Sequence, residues 1–280
     1  MPSYRGRLPF PALVLGTYLS LLLPGAACAQ LPSVASINLC TDQLVLSVAD
    51  PDQIRSLSWL SANPEESMLA AAAGRYSLNY GSAEELIGID ADIVIAGSQT
   101  SPFTRQLLRR LGATIVEVEP AASLADIRRN LLVVGAAIDR DEETVRVVRA
   151  MQTRTAAIRE RSAGSLHQAV VVRPGGFTIG RNTLAFELLE LAGLENSIAE
   201  LDRWGSLSVE ALLTASPEII VLTDYRADEA SLANGIFLHP ALLSLAGSQT
   251  TVHVHARYFA CGVPESLTAA EQLLDRMAAF

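Results

Sequence analysis

Lysine is absent: all 21 basic residues of this 280-residue chain are arginines. That removes a phosphate-loop lysine and a Schiff-base lysine, and with them several enzyme classes. Positive charge is also outnumbered, 21 basic residues against 30 acidic, for a formal net charge of −9. The sign is wrong for phosphate neutralisation, so a nucleic-acid partner is excluded. Charged residues make up 18% of the chain and hydrophobic residues 50%, a balance that excludes a mainly disordered protein. Glycine and proline are scattered without period, which excludes collagen-like and low-complexity chains. Three cysteines are too few for a disulfide-dense scaffold. There is no G-x-S-x-G, no H-E-x-x-H and no G-x-G-x-x-G opening a helix after a strand. The familiar signatures of catalysis are missing.

What is present begins with a leader. Arg5 and Arg7 precede an apolar run from Leu13 to Leu23, Pro24-Gly25 breaks it, and Ala27-Cys28-Ala29 supplies an A-x-A cleavage site. Residues 1–29 therefore read as an export signal. A lipid-anchored chain would also carry small residues before a cysteine, but it wants leucine three positions upstream of Cys28, where Gly25 stands. The expectation is a soluble exported chain, with a lipid anchor at Cys28 as the lesser alternative. No later apolar run is long enough to span a bilayer.

After the leader, strand-like runs alternate with helical patterns, which argues for parallel α/β sheets. The strands are expected at 34–39, 54–59, 92–96, 114–118, 169–173, 218–223 and 250–254, with helices at 102–111, 124–137, 183–192 and 264–277. From Arg140 to Ser162 there is no glycine or proline, and Val145, Val148, Met151, Thr155 and Ile158 recur at helical spacing. This predicts one long helix near the middle of the exported chain. Two α/β lobes follow, over 31–139 and 165–280, with 140–164 as the link. The lobes also repeat each other. Ser82-Ala-Glu84-Glu-Leu86 and the Asp92-Ile-Val-Ile run overlay Ser208-Val-Glu210-Ala-Leu212 and Glu218-Ile-Ile-Val at a constant offset of 126. Two such lobes on a rigid helix would hold a ligand in the groove between them.

The scarce aromatics fall where such a groove would be. Trp59, Tyr80, Phe177, Trp204, Tyr225 and the pair Tyr258-Phe259 sit in expected loops or at strand ends, as the lining for a large flat or apolar ligand would. Gly175-Gly176 reads as a tight turn. His253-x-His255 places two imidazoles on one face of a strand. With Cys40 and Cys261 it motivates the competing reading, an exported thiol/His metal-binding protein or hydrolase.

Together these segments resemble a family. Ser36-Ile-Asn-Leu-Cys-Thr-Asp42, the block from Glu84 to Ile95, Trp204-Gly-Ser-Leu-Ser-Val-Glu210 with Ser216-Pro-Glu218, and the single long helix are similar, in order and spacing, to helix-linked periplasmic solute-binding proteins. That family serves cobalamin and ferric-siderophore ABC importers. The resemblance implies a monomeric periplasmic receptor, not an enzyme. It would have no resident cofactor and would hand a cobalt- or iron-containing ligand to an inner-membrane permease with a cytoplasmic ATPase. It implies cleft positions at Tyr80, Phe177, Trp204, Tyr258 and Phe259, to which Trp59, Cys40 and Arg257 are added by placement. Arg173, Arg181, Arg226 and Arg257 lie in or beside the same loops and would suit anionic chelates. Permease docking is carried over to Glu210 on one lobe, and symmetry nominates Glu84 or Glu85 on the other. For Cys40 and Cys261 the expectation is two unbonded sulfurs near the cleft, because a bond across it would pinch the groove.

Overall fold

The computed structural model describes residues 1–2, 30–198, 200–223, 232–247 and 249–279. The expected export signal, from residue 3 to 29, and Tyr225 and Arg226 lie outside the described residues. Among the described residues no helix is long and apolar enough to cross a membrane.

The first sheet has five parallel strands: β1 (Val34–Ser36), β2 (Ile54–Ser58), β3 (Ser77–Asn79), β4 (Ile93–Gly97) and β5 (Thr114–Val118), in the spatial order β3-β2-β1-β4-β5. In the second half come β6 (His167–Val172), β7 (Phe177–Ile179), β8 (Leu194–Asn196), β9 (Trp204–Ser206), β10 (Ile219–Leu222) and β11 (Thr250–His253). Four of these make a parallel sheet in the order β8-β6-β10-β11, and β7 pairs with β9 in a separate antiparallel ribbon. The two parallel sheets share one winding. Each first strand is flanked by the next sheet strand on one side and, after a jump, by a later strand on the other. The jump leaves a crevice at the carboxyl ends of the strands, where such sheets bind ligands.

The helices fill the faces. They are α1 (Leu39–Val48), α2 (Ala70–Ala73), α3 (Ala83–Ile89), α4 (Pro102–Arg110), α5 (Leu124–Ala137), α6 (Asp141–Ser162), α7 (Leu184–Leu191), α8 (Val209–Ala215), α9 (Pro240–Ala246), α10 (Arg257–Ala260) and α11 (Leu267–Met277). The linking helix α6 has 22 residues, about 33 Å at ~1.5 Å per residue. Asp141, Glu142 and Glu143 open it, and Arg159 and Arg161 close it, each sign matched to the helix dipole. Its buried stripe is Thr144, Val148, Met151, Thr155 and Ile158. Val145, expected on that stripe, is 40% exposed. The face is shifted by one residue because Thr144 packs on Gly135 of α5, so tightly that a Cβ there would lie 1.8 Å from the Thr144 hydroxyl. Arg154 then ties α6 to α11, donating to both Glu271 carboxylate oxygens at 3.1 and 2.9 Å.

One continuous apolar core runs from the first sheet through α1, α5, α6, α7 and α11 to the second. The outer faces carry separate smaller cores under α3 and α4 and under α8 and α9. The halves are joined by packed side chains as well as by chain.

The repeat at offset 126 persists in three dimensions. Helices α3 and α8 each have seven residues, each starts at a serine whose side chain caps it, and each ends in a left-handed residue, Asp90 (φ 52) and Ser216 (φ 41).

Candidate ligand cleft

Both crevices open onto one segment, residues 255–262. On the first-sheet side, Cys40 and Cys261 are bonded to each other with their Cα atoms 5.0 Å apart. His255 Nε2 lies 3.1 Å from a Glu65 carboxylate oxygen, and Arg257 Nη1 donates to the Pro64 carbonyl at 2.5 Å. Gly262 meets Ala121 so closely that a Cβ would come within 2.3 Å of that alanine's methyl. The segment forms the floor on which the halves meet.

This corrects the expectation of unbonded cysteines. A bond across the mouth would narrow the groove, but this one lies in the floor, with Cys40 on the lining of one cavity. It also disposes of the thiol/His metal site, since the two sulfurs are used on each other. Among the described residues no cluster of three His, Cys, Asp or Glu is placed to hold a metal.

The aromatic residues form two walls. Trp59, just past β2, and Tyr80, just past β3, have ring centroids 6.1 Å apart and are 44% and 76% exposed. On the second sheet, Arg173 ends β6 and its guanidinium stacks over the Trp204 ring at 4.5 Å. Gly175 and Gly176, at φ 76 and 73, turn the chain between Arg173 and Phe177, as a residue with a Cβ would do only under strain. Arg173, Phe177, Trp204 and Phe259 line a cavity of about 450 Å³. Phe177 and Trp204 remain half exposed, whereas Phe259 is buried and offers the cavity one edge.

Other expected contacts have different occupations. Arg257 is spent on Pro64 and on Tyr258, whose hydroxyl it reaches at 3.3 Å and whose ring it covers at 5.2 Å. It braces the two halves and leaves Tyr258 half buried beneath it. Glu85 accepts from the backbone N–H groups of Tyr80 (2.9 Å) and Ser82 (3.4 Å) as part of a capping box. Glu84 and Glu210 are exposed at equivalent positions of α3 and α8. Donors at the start of α8 hold the Glu210 carboxyl below the usual carboxylate range, so it is charged at neutral pH. The same two helices expose Ile87 and Leu213, each 49% accessible, one turn further on.

Sequence reasoning missed a second cavity, of about 170 Å³, across Ala260 from the first. It lies at the crevice of the first sheet, between the end of β1 and the end of β4, with Asn38, Ser98, Glu119 and Asn130 around it. A signal was available: Asn130 falls on the apolar stripe of α5 made by Leu124, Ile127, Leu131 and Val134.

Known proteins share this fold. The model of the family described as periplasmic binding protein matches residues 34–246. The chain belongs to that family. An uncharacterized ABC transporter substrate-binding lipoprotein of Bacillus subtilis, YvrC, is 20% identical over 201 residues, covering 68% of this chain and 63% of the relative. A cobalamin-binding protein of Halobacterium salinarum is 24% identical over 215 residues, 74% of this chain and 58% of its own length. The chain thus spans about three-fifths of the curated relatives it matches. The periplasmic heme-binding protein RhuT from Roseiflexus sp. RS-1, in its apo form, superposes with a TM-score of 0.75 at 17% identity, over 89% of this chain and 98% of that one. At that identity the likeness speaks for the fold.

Proposed function

We propose that this chain is the exported, monomeric substrate-binding component of an ABC importer, with lobes over 31–139 and 165–280 and the link at 140–164. It captures a large, flat-faced corrinoid or iron chelate and delivers it, unmodified, to an inner-membrane permease. The observation that carries this is the two pairs of exposed aromatics, Trp59 with Tyr80 just past β2 and β3, and Phe177 with Trp204 beside the end of β6. Flat apolar faces suit such a ligand. Cobalamin and haem, named for two of the similar proteins, are the first to try.

Trp59 and Trp204 are the two tryptophans of the chain, so intrinsic fluorescence reports on both walls. Titration with cyanocobalamin, haemin and a ferric hydroxamate is expected to give saturable quenching with one of them. Trp204→Ala is expected to weaken that ligand about 30-fold, the scale of a truncated aromatic anchor at ~2 kcal/mol. If none of the three saturates, the reading of the cleft fails.

Docking is assigned to Glu84 and Glu210, with Ile87 and Leu213 beside them, facing arginines of the permease. The double change Glu84→Ala, Glu210→Ala is expected to leave ligand affinity intact and to reduce uptake in cells at least tenfold, since rim charges steer and orient a partner. Glu85→Ala should instead loosen α3 by about 1 kcal/mol through its cap, without a docking defect. Normal uptake in the double variant would place the docking surface elsewhere.

A further inference from the structure

The smaller cavity has a polarity of its own. Its volume of about 170 Å³ equals roughly six waters at ~30 Å³ each, which is too small for a macrocycle and ample for one side arm of a larger ligand. Asn130 is 4% exposed. Its side-chain nitrogen donates to the Glu119 carbonyl at 2.7 Å, and because a carbonyl only accepts, this fixes which way the amide points. Its oxygen then has no protein donor among the described residues. Opposite, the Asn38 oxygen accepts from the Cys40 N–H at 3.0 Å while capping α1, which leaves the Asn38 nitrogen without a protein acceptor. Ser98 donates to a Glu119 carboxylate oxygen at 2.7 Å, and Gln99 stands exposed at the rim. Among the described lining residues none is basic. The neighbouring cavity, across Ala260, has Arg173.

An open acceptor on Asn130 and an open donor on Asn38, lining one cavity with a carboxylate beside them and no cation, suit a group that both donates and accepts. A primary carboxamide offers a carbonyl to Asn38 and an NH₂ to Asn130. A carboxylate would find one donor, would leave the Asn130 oxygen unmatched and would face Glu119. We infer that the cavity is a subsite for an uncharged carboxamide arm of the ligand, discriminating against the corresponding acid. The inference rests on the reading of the cleft as a ligand site, and it narrows that reading towards ligands fringed with amides.

The small probes are propionamide and propionate, followed by their effect on the side-chain amide signals of Asn38 and Asn130 in the ¹⁵N-labelled exported chain. Propionamide is expected to shift them saturably and propionate is not. Asn130→Leu, which fills the cavity, is expected to abolish the effect, and Gln99→Ala at the exposed rim provides a variant that cannot perturb the core. Equal responses to the two probes, or none to either, overturn the subsite. The large probes are cyanocobalamin and a monocarboxylic acid obtained by hydrolysing one of its side-chain amides, both read by tryptophan quenching. Wild type is expected to favour the amide about tenfold, the effect of one unmatched hydrogen bond, and Asn130→Leu should bind both alike. If cyanocobalamin binds without that preference, the subsite falls while the cleft stands. If no large ligand binds, the cleft reading falls and the propionamide experiment decides the subsite alone.

Discussion

Reduction of the Cys40–Cys261 bond should be the most destabilising single chemical change available to this chain. The bond closes a sequence separation of 221 residues, most of the 280-residue chain. The chain-entropy model assigns about 5 kcal/mol to a loop of that size. For a chain of this length each kcal/mol moves the unfolding midpoint by about 2–4 °C, so the midpoint is expected to fall by at least 10 °C when reductant is added. Ligand capture should weaken too. The bonded segment contributes Ala260 to both cavities, and its release frees the floor against which Gly262 and Ala121 hold the halves together. Intact mass after alkylation checks the premise. The chain starting at Gln30 should take up no label without reductant and two labels with it. Two labels under both conditions would show that the sulfurs are free. A Cys40→Ser, Cys261→Ser chain should match the reduced protein in its melting behaviour and no longer respond to reductant.

The architecture was legible because it is written in long periodic segments. The seven expected strands all exist, within a few residues at their ends; the first is the shortest, because Leu39 already begins α1. Helix α5 falls at its expected bounds, and α6 within one residue at its start. The missed strands, β3, β7, β8 and β9, have three residues each, too short for an alternation of period two to register. Pairwise geometry was not legible at all. Local pattern carries no information on how close residues 221 apart will come, so the fate of the cysteines could be settled only in three dimensions. Arg257 illustrates the same limit. An arginine beside two aromatics reads as a ligand contact, yet its guanidinium is spent on a carbonyl of the opposite half. The aromatic walls were legible as loop residues but not as partners, since the proximity of Trp59 to Tyr80 depends on β2 and β3 being neighbours in the sheet.

One buried carboxyl should make acidification stabilising between neutral pH and about pH 4, the opposite of the usual carboxylate contribution. The source is Asp42, in the first turn of α1 and fully buried. One carboxyl oxygen accepts the Ser58 backbone N–H at 3.2 Å and the other accepts the Ser58 hydroxyl, fastening the end of β2 immediately before Trp59. Burial raises its pKa from 3.8 to about 7, and the hydrogen bonds from Ser36 and Ser58 offset only part of that rise. In the unfolded chain the group ionises near pH 4, whereas in the folded chain it stays protonated up to about neutrality. Between those values the folded state binds the extra proton, so stability is greatest below the unfolded pKa and declines as pH rises towards 7. At ~1.4 kcal/mol per unit over about three units, the decline approaches 4 kcal/mol. Above pH 7 it levels off, with the carboxylate ionised in both states. Asp42→Asn keeps the shape, removes the proton and should flatten this dependence. The variant should gain relative to wild type from pH 5 to 8, by up to a few kcal/mol at pH 8. Denaturant unfolding of both proteins across that range is the measurement. A constant difference between them at every pH would show that Asp42 is already ionised in the folded chain at pH 5.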